Sequence, residues 1–301
     1  MLDLGLSEKT VLLESGKTIG WDLLCIAMGS DSRRLDALED AMYLRELPAA
    51  EEVRAKIDRR ERLVIVGAGF IGCEVAAIAR QKGCEVSVYE AMAQPLLRVL
   101  GSEVGDYLAD YHRDHGVDLR LASQAPRGAD LVAVGSVPRV DLAERAGLEV
   151  DQGIAVDELG HTSARDVFAA GDVTRFFHPL FERSIRVEHF QTAQRQGFAV
   201  GRAMAGATDP YREVPWFWSD QYDLNLQYVG AGLPWEEIVV RGELGRPPFT
   251  VFYLSAGGLV AAAGINDHHT VARARRVIEA GKDVSRQQLA DPKVDLRRLL
   301  A

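Results

Sequence analysis

Apolar residues in the first two thirds of the chain gather in short unbroken runs, not alternations. Leu63-Val-Ile-Val66, Glu85-Val-Ser-Val-Tyr89, residues 130–134 and 167–170 are each a handful of residues long and stop on glycine or an acid. Runs of this kind predict strands buried on both faces, as in a parallel sheet between helices. Residues 17–30 read as a turn followed by another such run. Between the runs the spacing changes to about 3.6 residues. Residues 46–60 predict an amphipathic helix whose Arg54, Lys56, Arg59 and Arg60 suit the negative end of its dipole. Further helices are predicted after Gly72, over 101–115 and over 188–204, with a helical turn at 142–146. Residues 117–121 predict a strand and 122–128 a polar loop. Past Pro215 the composition changes: an aromatic stretch opens it and strands with turns follow, over 225–229, 237–240, 249–254 and 259–263. A helix over 270–280 follows. Strands alternating with helices and then a run of strands make the fold class α/β with a C-terminal α+β unit. The predicted division is 1–45, 46–137, 138–208 and 209–301.

Composition narrows the function. The 301 residues are 47% hydrophobic with a formal net charge of −9. The acidic balance, without a basic block, argues against nucleic acid as a partner. No apolar run approaches the ~20 residues of a membrane span, and no secretory leader is legible, so the expected location is the cytoplasm. The three cysteines, Cys25, Cys73 and Cys84, form no C-x-x-C and read as buried, reduced thiols. No spacing suggests a metal site.

The chemistry concentrates in residues 62–90, RLVIVGAGFIGCEVAAIARQKGCEVSVYE. A strand runs into Gly67-x-Gly69-x-x-Gly72, a helix follows, and a second strand ends at Glu90. Gly67 permits the tight turn, Gly69 removes a side chain that would block a pyrophosphate, and Gly72 lets the helix lie close to the sheet. The helix start, with Phe70 and Ile71, offers backbone N–H groups to phosphate. Glu90 is spaced to accept from the adenosine ribose hydroxyls and to repel a 2′-phosphate, which favours NAD(H) over NADP(H).

Three more segments join this motif in order: Trp21-Asp-Leu-Leu-Cys-Ile-Ala-Met28-Gly-Ser, Thr162 through Ala169-Ala-Gly171-Asp172-Val, and Pro215-Trp-Phe-Trp218-Ser-Asp-Gln221. Together they resemble the two-dinucleotide-binding flavoproteins. The similar branch is that of the NADH-dependent ferredoxin, rubredoxin and putidaredoxin reductases, and the third segment is specific to it. The resemblance implies an FAD domain split by an inserted NAD domain. Gly171 and Asp172 would take the ribityl end of FAD, and the segment Glu188-His189-Phe190-Gln191 would open the helix beneath the flavin. Gly135 stands where the family turns beside NAD. Glu74 takes the position that holds the nicotinamide carboxamide, where a helix-dipole acid is the plainer alternative. Trp218 would lie near the flavin edge and the docking face, with a plain core aromatic as the alternative. His189 reads as an ordinary helix-face histidine, since hydride transfer needs no general base. Without a cysteine pair, electrons would leave singly to a ferredoxin-type iron–sulfur protein of an oxygenase system. A homodimer is left open.

The chain also departs from the family pattern. A flavin domain's opening unit would occupy roughly 100 residues before Trp21, and twenty precede it here. Residues 122–128 leave no room for the family's three-stranded meander, and Met28 stands where a threonine is usual. The expectations are therefore an N-terminally truncated fold and a chain that purifies without FAD. Such a chain is an inactive fragment, or an NAD-binding module that needs a second chain to supply the FAD site.

Overall fold

The computed structural model describes residues 3–300. Its centre is a five-stranded parallel sheet in the order Met42–Tyr43, Leu131–Val132, Leu63–Val66, Val86–Tyr89, Asp118–Arg120. The apolar runs end up here because both faces of the middle strands are covered. On one face Leu63, Ile65, Val86 and Val88 pack against Val53 and Ile57 of the helix Leu47–Asp58 and Val75, Ala76 and Ala79 of the helix Phe70–Gln81. On the other, Val66 and Val132 pack with Leu38 and Tyr43. The strand Met42–Tyr43 belongs to this sheet, which carries the inserted unit upstream of the boundary drawn at residue 45. Two residues are too few to show a period, so the sequence gives no strand signal there.

The chain enters and leaves this unit through two strands, Ser30–Ser32 and Ser136–Pro138, paired antiparallel. On their far side the flanking segments share one core, with Ile26, Val156, Val167, Ala169 and Phe176 buried together. Leu24–Ile26 lies parallel to Val167–Ala169 there. This strand is not covered on both faces. Ile26 is buried, while Leu23 and Cys25 are exposed. The expectation of a buried Cys25 is thereby corrected. Among the described residues Leu24–Ile26 has one strand partner, and alternation turns Cys25 away from the core.

The C-terminal unit is a five-stranded antiparallel sheet in the order Trp216–Gln221, Leu224–Gly230, Gly258–Ile265, Arg246–Ser255, Glu237–Glu243. Alternation gives it two buried faces. Val229, Phe252 and Ala262 meet Val271, Ala274 and Val277 of the helix His268–Glu279. Leu226, Tyr228, Val251 and Tyr253 meet Leu100, Val104 and Leu108 of the helix Leu97–Asp114. That second helix also follows the sheet strand Val86–Tyr89 in the chain, so one helix joins the parallel-sheet unit to the C-terminal unit. Tyr253 reinforces the joint by donating to the Leu100 carbonyl at 2.9 Å. Between Asp118–Arg120 and Leu131–Val132 there is a loop without strands, as the short 122–128 segment predicts. No described helix is long and apolar enough to cross a membrane.

Candidate active site

The three motif glycines do three separable things. Gly67 turns the chain with φ +102, and a Cβ there would lie 2.4 Å from the Ala133 carbonyl oxygen. A Cβ on Gly72 would lie 1.9 Å from the Gly67 carbonyl oxygen, so close helix–strand packing requires glycine. Gly69 is different. Its φ is an ordinary −79, and the nearest atom to an added Cβ is 3.9 Å away. Neither strain nor packing demands glycine at 69, and the open space in front of it is a cradle that a ligand would occupy. No side chain caps this helix start. Gly135 also faces open space, at φ +103. These loops follow the carboxyl ends of adjacent strands, where open α/β sheets bind ligands.

Glu90 stands at the end of its strand as predicted, but its carboxylate already works within the protein. Oε2 accepts from Ala68 N at 2.7 Å and Oε1 from Met92 N at 2.8 Å. The acid therefore ties the glycine turn to the second strand. Each carboxylate oxygen has a second lone pair to offer a ribose hydroxyl.

Glu74 projects from the helix Phe70–Gln81 toward the C-terminal sheet, where Ser219 donates to its Oε1 at 2.6 Å. Burial raises its carboxyl above the usual range, opposed by the Ser219 hydrogen bond and reinforced by Asp220. Phe70, from the first turn of the same helix, meets Phe217 edge-on at 4.7 Å. Phe217 also packs against His189 at 4.3 Å and Tyr228 at 5.3 Å. All three units of the chain thus converge on one aromatic ring.

The helix predicted from residue 188 starts at Phe190. Glu188 and His189 precede it because Glu188 is held elsewhere, accepting from Ser136 on the exit strand and from Arg186. His189 Nδ1 is buried without a partner, and burial pushes the imidazole down to about 4. The imidazole is thereby kept neutral near pH 7, and it stands ahead of the helix, not on its face as expected. Phe190 is 76% exposed and Trp218 47%, with Trp218 stacked on Trp216.

Gly171 turns at φ +82, and its N–H donates to buried Gln196 at 2.8 Å. Asp172 follows and accepts from Arg45 at 3.1 Å. This turn, the helix Phe190–Met204 and the edge of Leu24–Ile26 face one another, which fits the polyol end of a flavin. Arg45, Gln196, Phe217 and Ser219 had no assigned role in the sequence reading. Arg45 and its partner Asp172 are 127 positions apart, and nothing local marks such a pair.

Cys73 and Cys84 are buried and Cys25 is exposed, all as free thiols. Burial, with Glu90 and Glu74 nearby, pushes the Cys73 thiol up to about 12. Among the described residues no group of His, Cys, Asp and Glu side chains is placed to hold a metal ion.

Residues 2–130 and 128–197 match the pyridine nucleotide-disulphide oxidoreductase family, and residues 216–300 match the reductase C-terminal domain. The anthranilate 1,2-dioxygenase system ferredoxin–NAD(+) reductase component of Burkholderia cepacia is 42% identical over 96% of this chain and 78% of its own length. Putidaredoxin reductase of Pseudomonas putida is 31% identical over 98% of this chain and 77% of its own. Among solved structures, the covalent putidaredoxin reductase–putidaredoxin complex superposes with a TM-score of 0.94 at 30% identity, over 99% of this chain and 79% of that one. The chain belongs to the pyridine nucleotide-disulphide oxidoreductase family, in the form that carries a reductase C-terminal domain.

Proposed function

We propose that this protein is an NADH-dependent ferredoxin reductase of an oxygenase system. The observation that carries the reading is the convergence on Phe217. There the nucleotide helix, the start of the helix Phe190–Met204 and the first strand of the C-terminal unit meet within one ring contact of each other. A nicotinamide carried in from the Gly69 cradle along Phe70 and Glu74 would arrive beside the Gly171–Asp172 turn.

The residues divide the work. The backbone from Gly67 to Gly72 takes the NADH pyrophosphate and Glu90 the ribose. Glu74 holds the carboxamide with the carboxylate oxygen that Ser219 leaves unused. Gly171, Asp172, Arg45 and Gln196 fix the ribityl end of FAD. When bound, FAD converts the two electrons of a hydride into single electrons for an iron–sulfur partner. Half-buried His189 and Phe217, packed ring on ring, help to exclude water from the contact. Trp218 and Phe190 present an exposed aromatic edge on which a ferredoxin would seat. None of the free thiols is paired for dithiol chemistry, which supports one-electron delivery to a separate protein. We place the protein in the cytoplasm, where NADH and reduced thiols coexist.

The test supplies FAD, NADH and a [2Fe–2S] ferredoxin to the purified chain and follows cytochrome c reduction. Ferredoxin-dependent turnover with NADH, and much less with NADPH, is the expected result. Turnover that ignores the ferredoxin, or that prefers NADPH, would sink the assignment.

A further inference from the structure

The Ser219 hydroxyl that meets Glu74 is the last link of a longer chain. Gln221 Nε2 donates to Ser219 Oγ at 3.1 Å. His112 Nε2 lies 2.9 Å from Gln221 Oε1, and Tyr222 Oη lies 3.4 Å from His112 Nδ1. One proton placement satisfies every link. Tyr222 O–H donates to His112 Nδ1, His112 Nε2–H to Gln221 Oε1, Gln221 N–H to Ser219, and Ser219 O–H to Glu74. All the donors point toward the carboxylate, and each polarises the next. Ser219 and Gln221 are each 1% exposed and His112 2%, so the chain crosses the joint between two units out of contact with water. Burial lowers the His112 proton affinity, which keeps the imidazole in the neutral form this arrangement needs.

Three buried polar side chains in a row are costly unless each is satisfied, and apolar residues of the same size would dock the two units as well. What polarity adds is direction. A glutamate with three free torsions needs an oriented donor to present its other oxygen to a ligand.

We propose that Ser219, Gln221 and His112 are positioning residues for the nucleotide site, a one-way hydrogen-bond chain that sets the Glu74 carboxylate for the nicotinamide carboxamide. The proposal rests on the reading of Glu74 given above. It makes the C-terminal unit part of the NADH site as well as a docking module. The charged and titratable neighbours of Glu74 are Asp220 on the facing strand and Cys73 on its own helix. Asp220 raises the Glu74 carboxyl and the Ser219 donor lowers it. Losing the donor must therefore move the titration of Glu74 to higher pH.

The experiment measures NADH affinity by calorimetry between pH 5 and 8, on the wild type, Glu74→Gln, Ser219→Ala, Gln221→Met and the Glu74→Gln/Ser219→Ala double variant. A lost hydrogen bond to a charged group predicts about tenfold weaker binding in Glu74→Gln and Ser219→Ala, and a smaller loss in Gln221→Met. The acid limb of the affinity profile should shift to higher pH in Ser219→Ala and vanish in Glu74→Gln. In the Glu74→Gln background, Ser219→Ala should add less than about twofold, because the two act as one unit. Full additivity, or wild-type affinity and pH profile in Ser219→Ala beside a weakened Glu74→Gln, would overturn the proposal. Unchanged affinity in Glu74→Gln would instead sink the reading of Glu74 itself, and the proposal with it. Melting curves on each variant separate a folding defect from either outcome.

Discussion

Gly69 and Gly72 are both motif glycines three positions apart, yet they face different constraints. A methyl group at 72 would collide with backbone 1.9 Å away, and backbone cannot rotate aside as a side chain can. Gly72→Ala should therefore cost more than ~2–3 kcal/mol of stability and lose NAD binding along with the fold. A methyl at 69 meets only open space. Gly69→Ala should leave the melting temperature nearly unchanged while weakening NADH by roughly 10- to 100-fold, because only the ligand's approach is blocked. Thermal melts beside calorimetric titrations of the two variants check this. Equal losses of stability and affinity at position 69 would return that glycine to a packing role.

At the scale of elements, the C-terminal sheet anchors the chain's last segments through one buried cation. Arg241, 6% exposed, donates to the carbonyls of Leu289 at 2.7 Å, Gln288 at 2.9 Å and Val294 at 3.2 Å. The first two belong to the helix Arg286–Ala290, whose last carbonyls have no intrahelical donor. A planar guanidinium presents donors on three separate nitrogens to three carbonyls fanned around it, whereas the three donors of a lysine share one nitrogen. Arg241→Ala leaves those carbonyls buried and unpaired, and should cost about 3 kcal/mol. Arg241→Lys should recover only part. Urea midpoints of the two variants, with exchange protection of residues 286–296, would show whether the loss is local to this anchor. A wild-type midpoint in Arg241→Ala would refute the anchor.

For the whole molecule, the convergence on Phe217 creates an acid sensitivity. His189 is pushed by burial from an ordinary 6.5 down to about 4. The unfolded chain takes up a proton near the ordinary value that the folded one refuses. Stability is therefore complete above pH 6.5 and declines as pH falls toward 4, by up to about 2–3 kcal/mol from this group. His112 and His178, also lowered by burial, act in the same direction. Urea unfolding at pH 7.5 and 4.5 should show the wild type losing more stability on acidification than His189→Gln. Equal losses in the two proteins would remove His189 from the account.

The strand, glycine turn and helix of the motif were largely legible in the sequence because their parts lie within thirty residues of each other. Strand, glycine turn, helix and Glu90 are local in the chain, and hydrophobic period and glycine sterics act over that range. The Gly171–Asp172 turn was legible for the same reason. The paired crossings at Ser30–Ser32 and Ser136–Pro138, the sheet strand at Met42–Tyr43, the exposure of Cys25 and the Arg45–Asp172 contact were not. Each depends on a partner about ninety residues away or more, and no local propensity encodes such a partner. Nor could Ser219 or His112 be told from ordinary polar residues, since their meaning comes from the buried chain they complete with Glu74. Sequence alone determined the shape of the glycine turn, and so pointed to the site proposed there, because backbone geometry answers to adjacent residues. Tertiary structure decided which distant side chains orient that site, because hydrogen-bond direction and desolvation exist only once the units are packed together.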